Sequence, residues 1–296
     1  SNYAVPFFYA CTGYLLIVRQ QNKGVHEKIR SRIKKVLRLY VIWSIIYLPL
    51  TFCGWIIEGN REPVYLLRCV RNFILVGENF YSWALWYLNG LVFALIFIAL
   101  LLRKFSIKQI VKFGSVMYLL GIILTMFEGH LNKLPMIVSA AVKLYFAAFA
   151  TTRNGLFQSL IFVSIGMLVA ETEKLGKLRI SIGSIIATAL MYLTKIATSF
   201  IGGGQYFSKI LDLPTFFFLF AVVISACKKI DLKGKFYVRL RNWSETIYFV
   251  HMYFVALCAL VLYKGDYHNF KTFFIAASGS FMISWLTSLY KERKNR

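Results

Sequence analysis

Residues 83–102 read WALWYLNGLVFALIFIALLL, twenty residues without a charged side chain, closed by Arg103 and Lys104. A helix of that length rises about 30 Å, the thickness of a bilayer's hydrocarbon core. It has no polar face to turn to water, so it belongs in lipid or in a fully apolar interior. Working outward, eight more apolar stretches lie at 4–18, 36–57, 111–127, 155–171, 179–201, 213–228, 244–264 and 270–290. Most have the length that crosses a bilayer. The fold class that follows is all-α: a polytopic transmembrane helix bundle of about nine spans, with residues 1–296 forming a single membrane domain and no soluble domain.

Composition agrees. The chain has 296 residues, 58% hydrophobic and 16% charged, with mean hydropathy +0.62. Soluble domains hold about 45–50% apolar and about 25% charged residues. The net charge of +23 invites a nucleic-acid partner. The Lys and Arg residues sit in the gaps between apolar stretches, however, which points to topology and against nucleic acid. Successive gaps alternate, one set carrying a net +20 and the other +3. The positive-inside rule places the richer set in the cytoplasm, with the C-terminus, in a multi-pass protein of the cell membrane. Residues 134–152 are apolar enough to suggest a tenth span. That would break the alternation and put Lys143 at mid-bilayer, so an external amphipathic or re-entrant segment is expected. The five cysteines are scattered without a CxxC pair, and neither a disulfide framework nor a metal site is expected.

Chemistry concentrates at few places. Ser244, Tyr248 and His251 are spaced four and three apart and share a helix face near the cytoplasmic end of the 244–264 span, with Glu245 one position off. An ionisable residue in a membrane helix is either functional or held by a neighbouring helix, and His251 fits both. Lys195, inside the 179–201 stretch, could act, snorkel or pair with a distant carboxylate. Arg30, Arg32, Lys34, Lys35 and Arg38 form the densest basic run. They suit a topology anchor beside anionic lipid as well as a clamp for phosphates. Tyr81, Trp83, Trp86 and Tyr87 read as an interfacial aromatic belt where their span enters from outside. Gly202-Gly203-Gly204 reads as a flexible external loop.

Several of these pieces resemble one family. Val5-Pro6-Phe7-Phe8-Tyr9-Ala10-Cys11-Thr12-Gly13-Tyr14-Leu15 resembles the second helix of the acyltransferase-3 family. The Arg30 to Arg38 run with Tyr40 and Trp43 is similar to its basic loop and third helix. Trp83-Ala84-Leu85-Trp86-Tyr87-Leu88 is similar to the opening of its fourth helix. Arg153-Asn154-Gly155-Leu156-Phe157 with Gly166, and Ser244-Glu245-Thr246-Ile247-Tyr248-Phe249-Val250-His251, resemble two later elements. The pieces run in family order over about 250 residues.

The resemblance implies ten helices in the complete fold and an acyl-CoA donor, usually acetyl-CoA, reaching the site from the cytoplasm, with no metal. It implies an acceptor hydroxyl on surface polysaccharide, peptidoglycan or a lipid-linked sugar, beside membrane lipid. Arg30, Arg32, Lys35 and Arg38 would meet the donor's phosphates. Trp86, Tyr87, Arg153 and Asn154 would lie toward the acceptor. His251, with Ser244 and Tyr248, would support catalysis. The family's first helix, with its essential His, has no counterpart here. The chain starts Ser1-Asn2-Tyr3 without a signal peptide, so it is expected to begin partway through a protein and to be inactive on its own. The rival expectation is a multi-pass transporter or export component without chemistry.

Overall fold

The computed structural model describes residues 3–19, 24–58, 63–78, 82–178, 181–201, 204–229, 234–262 and 269–294. Among these residues every regular element is helical: α1 (Ala4–Val18), α2 (Val25–Glu58), α3 (Pro63–Arg71), α4 (Trp86–Leu101), α5 (Ile107–Glu128), α6 (Met136–Phe149), α7 (Leu160–Lys174), α8 (Ile182–Ser199), α9 (Gly204–Lys229), α10 (Lys235–Leu257) and α11 (Phe270–Lys294). A 3₁₀ turn at Trp83–Leu85 leads into α4, and a π-helical turn at Gly155–Ser159 leads into α7.

Eight of these helices, with their flanking turns, are long and apolar enough to cross a membrane. α1, of 15 residues, and α6, of 14, are apolar but shorter. About nine spans were expected; eight helices have the length, and α1, rising about 22 Å, falls short of it as α6 does. α6 rises only about 21 Å, too short for a crossing of about 30 Å, and it occupies the 134–152 segment.

Several helices start earlier than their apolar stretches. α9 begins at Gly204 instead of 213, and α10 at Lys235 instead of 244. Lys, Arg, Gln and Glu are good helix formers, so a helix runs on past the end of its apolar stretch. Asp212, which falls in a loop on hydropathy alone, therefore lies within α9. α2 is the extreme case. Its 34 residues rise about 51 Å, well beyond one bilayer core, and carry the basic run in the same helix as the span.

The chain divides into two compact units. One comprises Ser1–Leu37 with Tyr87–Ile230, the other Arg38–Trp86 with Asp231–Arg296. In the first unit α7 is the axis, with residues 160–167 all buried. Two glycines let α1 and α7 touch backbone to backbone. A methyl on Gly13 would strike the Val163 carbonyl, and one on Gly166 the Ala10 carbonyl. Close approach through small residues drives membrane helices together where lipid gives no hydrophobic push. The Phe162, Phe216 and Phe220 rings fill the space toward α9, with Phe162 and Phe216 edge to face at 4.9 Å. In the second unit α10 packs on α11, where Gly279 lies under the Phe254 ring. Trp43 of α2 stacks on Phe249 of α10 at 4.9 Å, and the Tyr47 hydroxyl donates to the Phe249 carbonyl at 2.6 Å.

Candidate functional site

In the second unit His251 and Tyr248 are half-buried on α10, their rings 5.9 Å apart. His251 Nδ1 lies 3.1 Å from the Ile247 carbonyl, one turn back. A carbonyl can only accept, so this bond needs the proton on Nδ1 and leaves the Nε2 lone pair of a neutral ring for another partner. Ser244 belongs elsewhere. It is exposed, and its hydroxyl turns back to the Arg241 carbonyl at 2.9 Å. Of the three residues sharing a face in the sequence, the structure brings two together.

The Tyr248 hydroxyl donates to the Ala84 carbonyl at 3.2 Å, and the Tyr40 hydroxyl to the Phe73 carbonyl at 2.6 Å. The Tyr40 and Phe73 rings stack at 5.3 Å. Tyr40 lies 18 residues before Glu58, where α2 ends, which is about 27 Å of helix. The segment after α2 therefore does not stay at that end. α3 and the π-helical turn at Asn72–Val76 return along α2, and Gly77, at φ 85°, takes the left-handed conformation that closes the turn. Trp83 and Trp86 of the aromatic run that follows are half-buried. Ser82, Ala84 and Leu85 are buried. Tyr81 lies outside the described residues.

The return encloses a cavity of about 220 Å³ bordered by Tyr40, Ser44, Leu48, Phe73, Glu78 and Ser82. Ser44 Oγ is buried beside the Tyr40 hydroxyl. None of these cavity residues except Tyr40 stands out in the sequence. The available signal was the apolar run Phe73-Ile74-Leu75-Val76 ended by Gly77-Glu78, too apolar for a surface loop.

In the first unit, Arg30 and Lys35 are exposed on α2, while Arg32 is half-buried with its Nη2 3.4 Å from Thr12 Oγ1 and its Nε buried without a partner. Arg38, exposed, continues the same helix at the edge of the second unit. Arg30, Lys34 and Arg38 follow at four-residue spacing and share one face. Near the end of α7, Glu173 accepts from the Tyr14 hydroxyl at 2.6 Å and pairs with Lys228 of α9.

The Arg153-Asn154-Gly155-Leu156-Phe157 element is a corner. Asn154 Oδ1 accepts from the Leu156 and Phe157 N–H groups, at 3.1 and 3.0 Å, capping the helix that follows. Its Nδ2 donates to the Tyr145 hydroxyl at 2.9 Å, which in turn donates to the Thr151 carbonyl at 3.0 Å. Burial pushes the Tyr145 phenol up to about 12, against a smaller lowering from the Asn154 bond. Gly155 sits where a methyl would strike Phe93. Asn154 is thus committed to the corner, and Arg153 is exposed beside it. Tyr87 accepts, through its carbonyl, the Tyr9 hydroxyl at 3.2 Å, and their rings lie 5.0 Å apart. Trp86 is half-buried.

Lys195 of α8 pairs with Asp212 of α9, the two side chains 13% and 11% exposed. Its ammonium also lies 4.1 Å from the centre of the Tyr3 ring. The distant carboxylate is the partner found. Gly202 and Gly203 lie outside the described residues, and Gly204 opens α9.

Apolar helices of crossing length, small-residue contacts and buried polar groups define a polytopic helical membrane protein. The acyltransferase-3 family model, described as an acyltransferase domain, matches residues 1–289. The chain belongs to that family, and the match supports an acyltransferase. An amino-acid racemase of Enterococcus faecalis is 29% identical over 177 residues, 58% of this chain and 24% of its own length. A serine/alanine racemase of Enterococcus gallinarum is 27% identical over 234 residues, 75% of this chain and 31% of its own. The chain thus spans about a quarter to a third of the length of these curated relatives. No solved structure matches it.

Proposed function

We propose that the chain forms the membrane part of an enzyme that moves an acyl group, in the first instance acetyl, from cytoplasmic acyl-CoA to a hydroxyl of a surface polysaccharide, peptidoglycan or lipid-linked sugar. The observation that carries this reading is the family match over residues 1–289. In this reading the chain is a multi-pass protein of the cell membrane with its C-terminus in the cytoplasm.

The donor's phosphates need fixed positive charge. Arg30, Lys35 and Arg38 offer exposed charge along one helix, and Arg32 offers a guanidinium whose Nε has no protein partner. His251 supports catalysis. Its Nε2 can accept a proton or a hydrogen bond, while Ile247 and Tyr248 hold the ring. Ser244 contributes at most at the exposed face. On the acceptor side, Asn154 shapes the corner that presents Arg153, and Trp86 and Tyr87 supply aromatic surface.

The test uses membranes carrying the full-length protein. Wild type should consume acetyl-CoA and label a surface glycan, His251→Ala should lose at least tenfold in rate, and Arg32→Ala should raise the donor KM. Unchanged glycan acetylation in His251→Ala, at normal expression, removes that residue from the reaction. A second reading comes from the relatives' names: a membrane part that handles a small amino acid such as serine, without acyl transfer. Serine accumulation in vesicles with no acyl-CoA consumption would favour it.

A further inference from the structure

We propose that the second unit carries a site for the acyl chain of the donor, a groove lined by Trp83, Met252, Val255, Phe270 and Phe273, and that the group it takes is an aliphatic acyl chain longer than acetyl. This rests on the acyl-transfer reading and specifies its donor.

The groove measures about 590 Å³, within the range of about 300–1,000 Å³ that small-molecule sites occupy. It runs between Met252 and Val255 of α10, the start of α11, and Trp83 in the turn before α4. Met252 and Val255 are three residues apart, and Thr272 and Phe273 follow Asn269 by three and four, so each helix turns one face to the groove. Among the described residues that border it, no side chain is charged. The phosphates of coenzyme A therefore find no counter-charge here. A sugar would bring several hydroxyls, each needing a partner, to a surface whose polar side chains are Asn269 and Thr272. Asn269 Oδ1 already accepts the Thr272 N–H at 2.8 Å at the start of α11. The rest of the lining is aliphatic, thioether and aromatic, and Met252 can adjust to a flexible apolar chain.

The place of the groove beside His251 selects the donor's chain over other hydrocarbon. Val255 lies one turn beyond His251 on the same face of α10, and Met252 is the next residue. Trp83 precedes Ala84, whose carbonyl accepts the Tyr248 hydroxyl at 3.2 Å, so the wall of the groove is tied to the Tyr248 and His251 pair. In the acyl-transfer reading coenzyme A arrives from the cytoplasmic end of α10, where Ser244 lies. The acyl tail is the end of the donor remote from coenzyme A. With the thioester carbonyl beside His251, the tail points along α10 toward Val255 and into the groove. In the transfer the acceptor oxygen bonds to the acyl carbon, the carbon–sulfur bond breaks, and the acceptor's proton ends on the coenzyme A thiolate. The tail is unchanged by these steps and supplies binding alone. An acetyl group, with one methyl beyond its carbonyl, would leave the groove unused.

Full burial of a CH₂ is worth about fourfold in affinity. Phe270 and Phe273 are 74% and 63% exposed, so the groove is open along one side. Half of the full effect gives about twofold per CH₂, or roughly sixteenfold over four. Donor kinetics in membranes carrying the full-length protein test this with acetyl-, butyryl-, hexanoyl- and octanoyl-CoA. From acetyl-CoA to hexanoyl-CoA the donor KM should fall at least tenfold. Val255→Trp fills the groove and should lower the hexanoyl-to-acetyl ratio of kcat/KM at least tenfold. A KM that does not fall, or a hexanoyl preference that Val255→Trp leaves intact, as partition into the bilayer would give, overturns the site while acyl transfer stands. Occupancy is read without turnover by labelling. With the five native cysteines replaced, Val255→Cys is labelled by a small maleimide, and hexanoyl-CoA should slow labelling at least threefold while coenzyme A does not. Labelling that hexanoyl-CoA does not slow, or that a lodged bilayer lipid blocks from the start, also overturns the site. If wild type consumes no acyl-CoA of any length, the acyl-transfer reading falls, and labelling alone decides the groove: slowing by hexanoyl-CoA sustains an acyl-chain site, and unchanged labelling overturns it.

Discussion

Asp212→Asn tests the energetics of the α8–α9 pair directly. The substitution keeps the size of the side chain and removes its charge, leaving Lys195 facing a neutral amide in an apolar setting. Both side chains are nearly nine-tenths buried, so solvent cannot take over the ion pair. Removing one partner of a buried pair costs about 3–5 kcal/mol, because the other charge stays behind unpaired. The Tyr3 ring, 4.1 Å from the ammonium, keeps about 0.5–2 kcal/mol of attraction in the variant. The lower end is therefore expected, about 3 kcal/mol, or roughly 150-fold in the folded-to-unfolded ratio. Lys195→Met with Asp212→Leu removes both charges and fills the space, and should return to within about 1 kcal/mol of wild type. Unfolding in mixed micelles, titrated with sodium dodecyl sulfate and followed by tryptophan fluorescence, measures all three proteins. If Asp212→Asn and the double variant are equally stable, the two charges are not coupled and the pair is an incidental contact.

Gly166→Ala should destabilise the first unit by at least about 1–3 kcal/mol, since its methyl meets the Ala10 backbone and not a side chain that can turn away; the same unfolding titration reads it, and a silent substitution would refute the backbone contact. Tyr40→Phe loses the bond to the Phe73 carbonyl and should cost about 0.5–1.5 kcal/mol. It should also speed proteolysis within residues 63–78, which limited digestion of proteoliposomes would detect. For Tyr145, the phenol ionises near its ordinary value of about 10 when unfolded and only near 12 when folded. Its contribution to stability is therefore whole below pH 10 and declines as pH rises toward 12. Tyr145→Phe should flatten that part of the stability profile, and an unchanged slope would contradict the buried network with Asn154 and Thr151.

The membrane bundle was legible because length and charge act along the chain: residues 83–102 have nowhere to go but lipid or an apolar interior, and basic residues mark where apolar stretches end. Contacts between distant segments were less so. Asp212 looked like a loop residue because hydropathy falls off around it, while the helix continues to pair it with Lys195. The return of residues 63–78 was hidden for a related reason. Its apolar part is only four residues, far short of a span, and nothing local says that Tyr40 will receive it. Asn154 was singled out on its motif, yet its neighbours show a helix cap, a role that an Asn two places before Leu156 could have suggested. The His251 and Tyr248 pairing followed from helical spacing, while the same spacing misled for Ser244, because a face of one helix is wider than the contact it makes.

The interlock of Gly13 with Gly166 carries a consequence for how the protein is made. These positions are 153 residues apart in the chain. At about 5–20 residues per second, a ribosome needs roughly 8–30 s to produce α7 after α1 has emerged. For that interval a helix of only 15 residues, with a groove shaped for a backbone not yet synthesised, must wait in or beside the translocon. Assembly of the first unit is thus governed by the order of synthesis, and the newborn helix's greatest exposure to misassembly or degradation falls in that delay.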